Sequence, residues 1–135
     1  MKKVDHEQPQ APRFTEFLTK QFDIFQQKQQ VFIEYLNVPQ PLSACIQEIA
    51  HAAGMFAAMD LLAKAQDRID TNGTFTLNDE DTHEIDLLHD RLLDFISKQV
   101  FASFDERLID LQPDEYGDLI EDGYNGGLEA ILNQG

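Results

Sequence analysis

The chain has 135 residues, of which 42% are hydrophobic and 26% charged, the composition of one folded domain rather than of a disordered segment. Its 25 acidic side chains against 10 basic ones leave a formal charge of −15, which excludes unaided attachment to nucleic acid or to an anionic bilayer. The single cysteine, Cys45, can form no disulfide within the chain, which fits a reducing cytoplasm.

Residues 1–13 are polar, carry Pro9 and Pro12, and show neither periodicity nor the apolar stretch of a secretion signal. They read as a mobile arm ahead of a helical domain spanning 14–135. From Phe14 the pattern changes. Phe14, Phe17, Leu18, Phe25, Phe32, Tyr35 and Leu36 recur in steps of three and four, the spacing of one helix face. Pro39 and Pro41 end this first helix, because proline disfavours helix in the residue before it.

A second helix is predicted from Leu42 to about Ile69. Leu42, Cys45, Ile46, Ile49, Ala53 and Phe56 form its main stripe, but Ala50, Ala52, Gly54, Met55, Ala57, Ala58 and Met59 spread apolar character around the axis. A helix apolar nearly all round is buried on several sides, so this is either the centre of the bundle or a subunit interface. The longest apolar-or-glycine run in it, Ala52 to Met59, is far too short to cross a bilayer.

The turn Asp70-Thr71-Asn72-Gly73-Thr74-Phe75 has the look of part of a calcium loop. Aligned on its glycine, however, it sets Arg68 at the first ligand position, where a cation repels the metal. Asn78 followed by Asp79, Glu80 and Asp81 is an N-cap with acids in the first turn, where the helix dipole favours them. The third helix carries Ile85, Leu88, Leu92, Phe95, Ile96 and Val100 on one side and is expected to end near Ser103, or near Leu111 after a kink. Beyond Pro113, Asp114 to Asp122 reads as a turn or two of helix. Gly123, Gly126 and Gly127 then read as an interruption before a final turn at Leu128 to Leu132. The expected architecture is all-α: a bundle of three to four helices with a short C-terminal helical segment.

The charge is unevenly spread. Residues 1–59 hold six acids and five bases, whereas residues 60–122 hold 18 acids and five bases. In the third helix Asp86, Asp90 and Asp94 follow at i,i+4 steps, an arrangement that costs about 0.2–0.5 kcal/mol per like-charge pair. Plain solvation is one explanation of such a row. The other is a surface for a basic protein partner, centred on Asp86, Asp90 and Asp94 with Asp79 and Glu80 beside them. The rise of about 6 Å per four residues also sets charges at a spacing comparable with phosphates, as a DNA mimic or immunity protein would use.

Catalytic and cofactor patterns are sparse. There is no phosphate-binding loop and no dinucleotide-binding glycine fingerprint, so no cofactor and no catalytic residue is expected. Glu48-x-x-His51 and Asp86-x-x-His89 have the spacing of helical metal ligands, an alternative reading as a metal-binding bundle. His89 falls on its helix's apolar stripe and His51 away from the stripe of its own, so these ligands are not expected to converge. Asp60 lies in line with Ile49 and Phe56, which predicts partial burial and a need for a partner; His89 is the candidate. The aromatic first helix and the small residues of the second also admit a homodimer.

Overall fold

The computed structural model describes residues 10–31, 40–64, 77–112 and 114–132. Four long helices lie among them: α1 at Gln10–Val31, α2 at Leu42–Lys64, α3 at Asp79–Phe95 and α4 at Tyr116–Leu132. The described residues contain no strand, and the fold is an all-α bundle. None of these helices is long and apolar enough to cross a membrane.

α1 starts at Gln10, ahead of the periodic pattern, so part of the segment read as an arm is helical. Pro12 sits in the first turn, where its missing N–H has no intrahelical acceptor in any case. Residues 1–9 and the expected helix end around Tyr35 and Leu36 lie outside the described residues. Phe14, Leu18, Phe22 and Phe25 are buried. Phe17 stacks on Phe56 of α2 with ring centroids 4.6 Å apart.

α2 is the hub, in contact with the other three helices. Its N-terminus is capped from a distance. The Ser43 backbone N–H donates to Asp110 Oδ1 at 3.0 Å and the Ser43 hydroxyl to Asp110 Oδ2 at 2.6 Å, so a carboxylate 67 residues away does the work of a local N-cap. The predicted stretch beyond Lys64 and the turn at Asp70–Phe75 lie outside the described residues.

α3 begins as its sequence indicates. Asn78 Oδ1 accepts from the Asp81 backbone N–H at 2.8 Å while Asp81 Oδ2 accepts from the Asn78 N–H at 3.1 Å, a reciprocal capping box. The helix passes through a π turn at Ile96–Val100 and ends after Phe101–Ser103. A 3₁₀ turn at Glu106–Leu108 follows.

The C-terminal segment is longer than the expected turn or two. α4 runs unbroken for 17 residues through Gly117, Gly123, Gly126 and Gly127. Three glycines explain why, because they let α4 press against α2 closer than side chains would permit. A Cβ on Gly54 would overlap the Tyr124 carbonyl oxygen, and one on Gly127 the His51 carbonyl oxygen. A Cβ on Gly123 would sit 2.8 Å from the Ala50 Cβ. The small residues of α2 therefore face a helix of the same chain. Backbone contact offsets the cost of glycine in a helix, about 1 kcal/mol per residue relative to alanine.

Candidate interaction surface

The buried side of α3 is set by Leu88, Leu92 and Phe95. At 100° per residue, Asp79, Asp86, Asp90 and Asp94 fall within about 80° of one another on the opposite side. All four are exposed, as is Glu80. Asp94 pairs with Lys98 at 2.9 Å, two exposed groups one helical turn apart, a contact worth a few tenths of a kcal/mol. Among the described residues, Asp79, Glu80, Asp86 and Asp90 meet no lysine or arginine within ion-pair distance. The third acid of the first turn differs: Asp81 is 7% exposed and serves the capping box.

α4 carries a second ridge that its glycines hid. Asp118, Asp122, Asn125 and Glu129 are all exposed and recur at i, i+4, i+7 and i+11, opposite the buried Ile120, Tyr124 and Leu128. α4 has four acids and no base, and α3 has seven acids against Arg91 alone. The two helices are joined where the Tyr124 hydroxyl donates to the Ile85 carbonyl at 2.9 Å. Burial pushes the Tyr124 phenol well above its ordinary pKa, and the negative charges of Asp86 and Glu84 push it further. The hydroxyl therefore stays a donor.

Asp60 and His89 do not form the expected pair. Asp60, with a side chain 10% exposed, accepts from Arg13 Nη1 at 3.2 Å, and the Arg13 guanidinium lies 5.6 Å from the Phe56 ring centre. The aromatic cluster between α1 and α2 thus brings Arg13 to Asp60 from the other side of the bundle. His89 packs on Tyr124 with ring centroids 5.3 Å apart, and its Nε2 is buried without a hydrogen-bond partner. Such a group costs about 1–3 kcal/mol, and the rigid α3–α4 packing around Tyr124 holds it.

The metal-ligand spacings do not assemble either. Glu48 turns to Lys28 at 3.1 Å, and His51 is exposed. Among the described residues no three His, Cys, Asp or Glu side chains converge where they could hold a metal. Cys45 is fully buried, and that burial, with Glu48 nearby, pushes its thiol up to about 12. It stays protonated and is no nucleophile near neutral pH.

Comparison with protein families, with curated proteins and with solved structures finds no match to this chain. The chemistry of the surface is then the guide to function. What the described residues offer is a double row of carboxylates fixed on two packed helices.

Proposed function

We propose that the chain is an interaction protein, without a catalytic role, that presents the outward carboxylates of α3 and α4 to a basic protein partner. The observation that supports this most directly is the exposure of Asp79, Glu80, Asp86 and Asp90 with no lysine or arginine of the described chain to neutralise them. A row of like charges weakens its own helix slightly. Displayed on a rigid scaffold, it raises the rate of encounter with a positively charged surface and selects against acidic ones.

The test is retention of basic proteins from a cell extract by the immobilised chain. Binding should fall steeply between about 0.05 M and about 0.5 M salt, as exposed charges become screened. It should be lost in Asp90→Lys with Asp94→Lys, whose circular dichroism should match the wild type because both positions are exposed. Retention indifferent to both salt and charge reversal would overturn the reading. The i,i+4 ladder also supports a narrower version, in which the partner is a DNA-binding protein; added duplex DNA should then compete for it.

A further inference from the structure

We draw no further inference here: the strongest candidate, the cleft between α1 and α3 lined by Thr15, Leu87, Asp90, Arg91, Asp94 and Lys98, shares its acids with the surface already described and sets two bases against them, so nothing in the structure shows what covers it.

Discussion

The two halves of the molecule handle charge in opposite ways. On the α1–α2 side, two acids are met by bases across the helix interface, Asp60 by Arg13 and Glu48 by Lys28, while Glu16 and Asp23 stand exposed on α1. On the α3–α4 side the acids stand outward in rows, and among the described residues most of them meet no base. Paired charges let α1 and α2 lie side by side around stacked phenylalanines. The unpaired ones contribute little to the fold and keep their field for whatever approaches. The contrast teaches that the formal charge of −15 is a property of one side of the bundle more than of the whole.

Substitutions can break or sharpen that contrast, and the largest effects belong to the uncharged contact that joins the halves. Gly54→Ala or Gly127→Ala forces a methyl group into the backbone of the facing helix. Each should destabilise the chain by about 3 kcal/mol or more, read from the urea midpoint. Gly117→Ala is the control. No atom lies within 4 Å of its new Cβ, so the change should be neutral or stabilise by up to about 1 kcal/mol.

Next come the caps. Asn78→Ala removes half of the capping box and should cost about 1 kcal/mol. Asp110→Asn should cost a similar amount at neutral pH, with a distinctive pH dependence. Partial burial opposes ionisation of Asp110, but the two hydrogen bonds from Ser43 outweigh it and hold the carboxyl below its ordinary pKa. Its contribution is therefore complete above the unfolded-state value and disappears as pH falls through the folded-state one. Melting temperatures of the wild type and Asp110→Asn should converge in acid. The smallest effect has the opposite sign: Asp90→Asn relieves two like-charge pairs and should raise stability by a few tenths of a kcal/mol. A loss there would mean that the ladder holds the helix together.

Much of this fold was legible in the sequence. The Asn78 cap, the aromatic face of α1 and the all-round apolar character of α2 rest on local patterns, which local reasoning can follow. α4 was not legible in the same way. Gly123, Gly126 and Gly127 look like breaks when propensity is read residue by residue, and it is the fit of Gly123 against Ala50 and of Gly127 against Gly54 that holds the segment helical. A signal was present: Gly123 and Gly127 repeat at the four-residue step that Ala50, Gly54 and Ala58 repeat in α2. With α4 taken as broken, its row of Asp118, Asp122 and Glu129 went unseen. Asp60 takes Arg13 rather than His89. Arg13, assigned to the arm, was overlooked because the start of α1 is marked by no capping residue. The empty hydrogen-bonding position at His89 Nε2 and the π turn at Ile96–Val100 left no trace in residue spacing.

The glycine contact also orders events during synthesis. α4 begins about fifty residues after α2 ends, so the groove around Gly54 stays open while everything between them leaves the ribosome. Until Tyr116 to Leu132 has emerged, the nascent chain carries its most apolar helix with one flank bare, the condition in which chaperones bind and aggregation starts. α4 is thus the helix that closes this flank of α2.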